Sequence, residues 1–287
     1  MRRFIPLLFL FVSCSLFAKS SVWRVSKEGK SFYLGGACHL LRSSDYPLPA
    51  EFELAYSVSD TLVVELNIET VQKPSFTMDL INSSRFSGSD TLESTLSKRT
   101  YKVLAKSCDE SGFSIQTLNQ IKPGTAVMML IVRELTRFGV TQEGVDVHYY
   151  KRSLRDKKRI LTLETAESQL ELISSLGDNL ENDTIKYGLK EIDHINDNFY
   201  SMTNSWKTGD LKKINKYFTA NLSKYPKLYS KLLVDRNNRW VKSLGVLTNT
   251  PEIEFVIVNV SHIAGKKGLI ALLEKEGYTI EQIGISL

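Results

Sequence analysis

The chain has 287 residues, of which 42% are hydrophobic and 24% are charged, and its formal net charge is +5 at pH 7. These proportions are typical of an ordinary globular protein with a buried core. Arg2 and Arg3 lie in a leader that export would remove, and subtracting these two charges from +5 leaves +3. A net charge of this size is too small to indicate a nucleic-acid partner.

Residues 1–18 have the pattern of a secretory signal peptide. The basic pair Arg2 and Arg3 precedes an apolar run, and Ala18 supplies a small residue before the predicted cleavage. The mature chain would then be residues 19–287, exported to the periplasm or secreted. Cys14 offers an alternative, a lipidated amino terminus. No later apolar run reaches the roughly 20 residues that span a bilayer, so no transmembrane segment is expected in the mature chain.

Two cysteines, Cys38 and Cys108, remain in the mature chain. In an oxidising compartment they could form a disulfide, and the alternative is two buried free thiols. Cys38 adjoins His39 on a predicted strand, where neighbouring side chains point to opposite faces. A nucleophilic Cys–His pair from these two residues is therefore not expected.

The pattern in chain order predicts strands at both ends and helices between them. A hairpin and a first helix come first, followed by a short buried strand, and their predicted ranges are 22–26, 31–35, 50–58 and 61–66. Further helices and one more strand are predicted at 114–120, 125–138, 146–156 and 159–164. Residues 70–100 are polar and give no clear pattern.

Residues 166–245 have apolar side chains at three- and four-residue spacing, which predicts an almost wholly helical segment. The chain then returns to a strand at 253–260, a helix at 266–276 and a strand at 278–285. This order predicts an α/β fold with a central mixed sheet built from both ends of the chain. Helices should flank that sheet, and 166–245 should form a helical insertion within one domain.

Two histidines occupy matched positions in this pattern. His39 and His262 each follow a short apolar strand and precede a helix, at opposite ends of the mature chain. In open α/β folds the carboxyl ends of strands line the ligand crevice. We therefore expect both histidines at one shared site.

Two carboxylates end apolar strands in the same way. Glu65 and Glu164 would be costly to bury unless each is paired with a cation or bound to a metal. With His39 and His262 they form a predicted divalent metal set, in which an open position would hold an activated water. No H-E-x-x-H or Cys-x-x-Cys motif accompanies them, so the hypothesis depends on strand placement alone.

Arg236 belongs to the third polar cluster, residues 235–240. An arginine with amide neighbours can hold a carboxylate or a polarised carbonyl. The alternative is an exposed basic turn of a helix.

Short segments in a fixed order resemble the TraB/GumN family, which is related to the Tiki metalloproteases. The likeness runs over nearly all the mature chain and is specific because the steps keep the family's order. They are Trp23-Arg24, Gly36-Ala37-Cys38-His39, Val64-Glu65, Leu163-Glu164-Thr165 with Gln169, Trp206 to Asp210, Arg236 to Trp240, Asn259 to Gly265, Gly268-Leu269 and Gly277-Tyr278. One departure is Asn259, where the family usually has glycine.

The resemblance implies a divalent-metal-dependent hydrolase, in the manner of a metallopeptidase, acting on a peptide or protein. His39, His262 and Glu65 would hold the metal, which would be Mn, Co or Zn. Glu65 or Glu164 would accept a proton from the bound water, and Arg236 would stabilise the developing oxyanion. The competing hypothesis is a protein that binds a metal, haem or peptide in the same crevice without turnover.

Overall fold

A computed structural model describes residues 17–247 and 250–286 of the chain. Most of the predicted signal peptide, with Cys14, lies outside the described residues. Phe17 and Ala18 belong to the first strand of the sheet. No helix in the described ranges is both long and apolar enough to span a bilayer.

Six strands form one mixed sheet and two short strands pair separately. The strands are β1 (Phe17–Lys27), β2 (Lys30–Ala37), β3 (Leu41–Arg42), β4 (Thr61–Val64), β5 (Val140–Thr141), β6 (Arg159–Thr162), β7 (Glu254–Asn259) and β8 (Thr279–Ser286). The order in the large sheet is β6-β4-β7-β2-β1-β8. Strands from the two ends of the chain therefore lie side by side, which confirms the predicted α/β fold and mixed sheet.

The helices cover the sheet and build a helical layer beyond it. They are α1 (Ala50–Val58), α2 (Ile68–Val71), α3 (Pro74–Ser83), α4 (Leu92–Thr95), α5 (Lys98–Ser111), α6 (Ile115–Leu118), α7 (Pro123–Arg137), α8 (Val145–Asp156), α9 (Ala166–Ser174), α10 (Glu181–Asp193), α11 (Ile195–Thr208), α12 (Leu211–Ile214), α13 (Pro226–Tyr229), α14 (Asp235–Leu247) and α15 (Leu269–Lys275). The polar stretch 70–100 that gave no clear pattern is largely helical. Within the predicted insertion, 166–245, short π-helical turns join several helices.

Four of the sheet strands run parallel to one another. β7 pairs in parallel with both β2 and β4, and β4 pairs in parallel with β6. Every residue of β4 and all but the last of β7 are buried, as expected for strands covered on both faces. The carboxyl ends of β2, β4, β6 and β7 therefore meet at one edge of the sheet, which we call the carboxyl edge.

The core consists of two apolar clusters, one on each face of the sheet, and two more among the helices. The third cluster joins residues of α4 to α7 with residues of α10. The helical layer is thus built from two stretches of chain, 68–137 and the predicted insertion. The second stretch returns to the sheet through α14, where Trp240 is fully buried.

Trp206 fixes α11 to the sheet. Its indole nitrogen donates to the carbonyl of Gly36 at 2.6 Å, and Ser21 donates to the carbonyl of Trp206 at 2.6 Å. Gly209 ends α11 with φ +60°, and a side chain there would collide with the Ser20 carbonyl. Asp210 then caps α12 through bonds from two backbone amides. The Trp206-to-Asp210 segment is therefore a docking turn beside the strand that carries His39.

Close helix packing depends on glycine at one position of α10. A Cβ atom on Gly188 would lie 2.1 Å from a methyl carbon of Val127 on α7. Gly245 in α14 differs, because a Cβ there would lie 3.6 Å from the hydroxyl of Tyr278, an ordinary contact. The two positions share a helical backbone and differ in the space around it.

We predict that Gly188→Ala lowers the free energy of unfolding by about 1–3 kcal/mol, because the α7–α10 contact must open to admit the methyl group. Gly245→Ala should raise it by about 0.5–1 kcal/mol, since alanine favours the helix and nothing obstructs it. Urea unfolding of the two variants measures both effects. Equal changes of the same sign would contradict the packing argument.

Candidate functional site at the carboxyl edge

The carboxyl edge brings the predicted residues together. His39 lies two residues after β2, Glu65 directly follows β4, Glu164 lies two residues after β6, and His262 lies three residues after β7. The pairing of β4 with β6 continues past the strand ends, because the amide of Glu164 donates to the carbonyl of Glu65 at 2.9 Å. α14 crosses above this edge and places Arg236 among these side chains.

Arg236 is the hub of the site and is 7% exposed. Its Nη2 donates to Glu65 Oε2 at 2.7 Å and to Glu164 Oε2 at 3.0 Å. Nε donates to Glu164 Oε1 at 2.9 Å. Nη1 lies 3.1 Å from His262 Nε2 and 3.4 Å from the carbonyl of Leu232. All five N–H donors of the guanidinium thus have an acceptor inside the protein.

Because each N–H donor of the guanidinium already has an acceptor, the geometry disfavours the predicted role of Arg236 as an oxyanion stabiliser. An oxyanion stabiliser needs a donor free to meet the developing charge, and in this arrangement Arg236 is committed to Glu65, Glu164 and His262. Glu164 is equally occupied, because it also accepts from Trp240 Nε1 at 3.1 Å and Arg239 Nη2 at 3.4 Å. In this geometry Arg236 and Glu164 hold their neighbours in place, and their predicted roles in catalysis stay predictions.

His262 is held neutral in a defined tautomer. Nε2 faces Arg236, which can only donate, so Nε2 accepts and Nδ1 carries the proton. Nδ1 then donates to Asn237 Oδ1 at 2.6 Å. Burial lowers the pKa of His262 to about 3, and the adjacent positive charge of Arg236 acts in the same direction. The ring also packs against Trp240, with centroids 4.3 Å apart.

His39 has the opposite environment, because it faces carboxylates and open space. Its Nδ1 lies 3.1 Å from Asp146 Oδ2, its Nε2 lies 3.6 Å from Glu65 Oε1, and its side chain is 40% exposed. Partial burial lowers the pKa of His39, but the negative charges of Asp146 and Glu65 outweigh it and raise the pKa well above the usual value. At neutral pH the site therefore pairs a protonated His39 with a neutral His262.

Glu65 links the two halves of the site. Oε2 accepts from Arg236, and Oε1 accepts from the backbone amide of Asn259 at 2.6 Å while facing His39. Burial raises the pKa of Glu65, but Arg236 and His39 outweigh it and hold the pKa well below the usual range. Glu65 is therefore ionised throughout the physiological range.

Asp146 reaches His39 because Gly144 allows α8 to approach the chain there. A Cβ on Gly144 would lie 2.2 Å from the carbonyl oxygen of His39, and the amide of Val145 donates to the carbonyl of Cys38 at 3.1 Å. The first turn of α8 is thereby fixed against residues 38 and 39. Asp146 Oδ1 is buried and has no hydrogen-bond partner in the described structure.

The predicted metal set is brought together only in part. His39 Nε2 and Glu65 Oε1 are 3.6 Å apart, close to the roughly 3.4 Å between two ligands that share a tetrahedral ion at about 2.1 Å. Asp146 stands behind the other nitrogen of His39, as carboxylates do behind ligating histidines. His262 does not fit, because both its nitrogens are engaged and a guanidinium lies between it and Glu65. The described residues contain no group of three or more His, Cys, Asp or Glu side chains placed to hold an ion.

Three cavities among the described residues are lined in part by His39. The smallest, of about 180 Å³, is also lined by Glu65 and Asp146, and the other two are larger. One, of about 340 Å³, is lined by polar groups of the site, including Arg236, His262 and Gln169. The other, of about 290 Å³, extends under the helical layer and is mainly apolar. We call them the polar branch and the apolar branch. Gln169 lines the polar branch, and its Oε1 is a buried acceptor with no partner within the described structure.

Strand placement and the polar cluster around Arg236 predicted five members of this site. Asp146 and Asn237 were not predicted. Asp146 has no local signal, since only the approach of α8 puts it behind His39. Asn237 did have a local sequence signal, because it directly follows Arg236 in the polar cluster of residues 235–240. The two cysteines are free in the structure, with Cys108 among the helices and Cys38 beside the sheet. Burial raises the pKa of the Cys38 thiol far above its usual value, so it is not a nucleophile at neutral pH.

Comparison with known proteins agrees with the motif order. The family model described as TraB/PrgY/gumN matches residues 21–282. The protein YbaP of Escherichia coli K12 is 24% identical over 253 residues, which cover 85% of this chain and 88% of YbaP. YbaP of Shigella flexneri is 24% identical over 250 residues, covering 84% and 87%. No solved structure matches the chain significantly.

We predict that Arg236→Gln lowers the free energy of unfolding by about 3–5 kcal/mol, because it removes the buried cation that Glu65 and Glu164 share. Of the ion pairs that these carboxylates make with described residues, it leaves only the longer ones, with His39 and Arg239. Arg239→Gln is the matched control. Its side chain is 63% exposed and its one ion pair, with Glu164, is 3.4 Å long, so its loss should cost less than about 1 kcal/mol. Denaturant unfolding at pH 7 compares them, and similar losses would show that the buried network does not stabilise the fold.

We also predict a pH dependence from His262. The unfolded chain takes up a proton at this residue near pH 6.5, whereas the folded chain does so only near pH 3. The free energy of unfolding should therefore fall as the pH falls below 6.5, by up to about 1.4 kcal/mol for each pH unit. The raised pKa of His39 acts the other way, and its stabilisation is fully present below pH 6.5.

Urea unfolding between pH 5.5 and 6.5 tests this slope, in a window about one pH unit or more above the ordinary glutamate pKa of 4.5 at which Glu65 titrates in the unfolded chain. His262→Gln should flatten the dependence, and His194→Gln, at the exposed end of α10, should leave it unchanged. An equal slope in wild type and His262→Gln would mean that His262 is not held neutral in the folded chain.

Proposed function

Since the chain belongs to the TraB/PrgY/gumN family, we propose that it is an exported, divalent-metal-dependent hydrolase that cleaves amide bonds of peptide-like substrates beside His39. One observation carries the proposal. His39 is a half-exposed imidazole held between the carboxylates of Asp146 and Glu65, at the junction of two cavities. Perturbed titratable groups that converge on a cavity are a common mark of catalytic sites.

A divalent ion (Mn, Co or Zn) would take Glu65 Oε1 and His39 Nε2 as ligands, and its binding would release the proton of Nε2 to solvent. The ion would supply a bound water that ionises near neutral pH. His262 could join it only if Arg236 moved away from Nε2. Within the protein, Asp146 orients His39, and Arg236 keeps Glu65 ionised and in place. Both carboxylates considered as proton acceptors have oxygens that already accept hydrogen bonds. Of the two, Glu65 is the one that faces His39 and lines the polar branch.

Unpartnered polar atoms of the site favour a peptide over a wholly apolar substrate. Gln169 lines the polar branch, and its buried Oε1 has no donor among the described residues. A substrate N–H group would satisfy this acceptor, and leaving it unsatisfied costs about 1–3 kcal/mol. Peptides supply such N–H groups at regular spacing along an extended chain.

The proposal predicts that His39→Ala lowers kcat/KM by at least about a hundredfold, because it removes both an ion ligand and the exposed imidazole. Asp146→Asn should cost about 10–100-fold, since groups that orient a ligating histidine have effects of that size. His148→Ala is the matched control, because this half-buried histidine packs on Tyr46 and Tyr149 away from the site. Its activity should stay within twofold of wild type.

The assay uses the full chain expressed with its own amino terminus, a mixture of fluorogenic peptides, and metal analysis of the same preparation. Turnover with bound Mn, Co or Zn, both lost in His39→Ala, would establish the metal-dependent reaction. Peptide or metal binding without turnover would favour a binding protein that uses the same cavities. Turnover that survives in His39→Ala would place the reaction elsewhere.

A further inference from the structure

The apolar branch contains one carboxylate that the proposed reaction does not use. The branch is about 290 Å³ in volume and is lined mainly by apolar side chains. Leu40 comes from the chain after β2, and the helical layer supplies Ile131, Leu135, Ile195, Phe199 and Met202. Glu191, on α10, also lines it and lines the polar branch as well. It thus faces the junction where His39 is exposed.

Glu191 has little to compensate its charge. In the part of the chain that the structure describes, its carboxylate accepts one hydrogen bond, from Asn221 Nδ2 at 3.3 Å, and forms no ion pair. Burial raises the pKa of Glu191, and this effect outweighs Asn221 and the more distant charges of Lys190 and His194. A carboxylate in such a setting is stabilised when a ligand brings a cation to it.

The branch around Glu191 restricts what that cation can be attached to. Away from Glu191 the walls are mainly apolar, so they disfavour a second charged group and accommodate one large aliphatic or aromatic side chain. The α-ammonium group of a peptide lies next to the side chain of its first residue. An amino-terminal leucine or phenylalanine could therefore put its side chain in the apolar branch and its ammonium group on Glu191, while its first peptide bond extends toward His39.

We propose that Glu191 and the apolar branch bind the free amino terminus of a peptide that begins with a large apolar residue. This inference rests on the proposed function for the placement of the scissile bond, but the binding itself requires no turnover. It makes Glu191 a specificity-determining residue and gives the site the preference of an aminopeptidase.

Calorimetry on the full chain tests binding with three probes: a pentapeptide that begins with leucine, its amino-terminally acetylated form, and n-hexylamine. The free peptide should bind at least about tenfold more tightly than the acetylated one, because acetylation removes the charge that Glu191 would meet. n-Hexylamine should bind much more weakly than the peptide. Binding as tight as that of the peptide would show that the site recognises apolar amines and would overturn the assignment.

Two variants test whether Glu191 causes the preference for a free amino terminus. Glu191→Gln keeps the shape of the side chain and should abolish the preference for the free amino terminus. Asp193→Asn removes a carboxylate from the exposed end of the same helix and should leave that preference intact. An equal effect of both variants, or no preference in the wild type, would refute the role of Glu191.

The same titrations in the His39→Ala background separate the two proposals. Binding with the predicted preference but without turnover in any form of the protein would sink the hydrolase and keep the amino-terminus site. Turnover without a preference for free amino termini would support the hydrolase and refute the amino-terminus site. A Glu191→Gln variant that raises KM without changing kcat would further support binding as the function of Glu191.

Discussion

The rest of the site depends on one buried cation. Arg236 reaches from α14 to the ends of three parallel strands and holds Glu65, Glu164 and His262 in fixed positions. Two carboxylates buried at adjacent strand ends would repel each other, and the guanidinium between them offsets that repulsion and the cost of their burial. Its planar donors match two acceptors at once, which a lysine could not do.

That arrangement gives the two strand-end histidines different properties although their sequence positions are alike. His262 lies against Arg236 and Trp240, so it is neutral and serves to hold the network. His39 lies against Asp146 and Glu65 and is open to the cavities, so it favours the protonated form and can meet a ligand. The distribution of charge around each ring, and not the motif it belongs to, separates the neutral, fully bonded histidine from the protonated, exposed one.

The helical layer then determines the shape of the cavities beside the carboxyl edge. α7, α10 and α11 pack closely, with Gly188 removing the side chain that would hold α7 and α10 apart. Their apolar side chains continue past the junction at His39 and enclose the apolar branch, where Glu191 is the acidic group. The sheet therefore places the charged groups of the site, while the helices from the middle of the chain supply the shape and polarity of the adjoining cavity.

Strand ends and motif order were enough to predict the mixed sheet, its origin in both ends of the chain, and the convergence of His39, Glu65, Glu164 and His262. They sufficed because buried parallel strands have a strong apolar signal and must end at a common edge. Neither Asp146 behind His39 nor the saturation of Arg236 has a local signature. Both arise from helices that cross the edge from distant parts of the chain, so only the tertiary structure decided which histidine is open, which carboxylate faces it, and where the cavities lie.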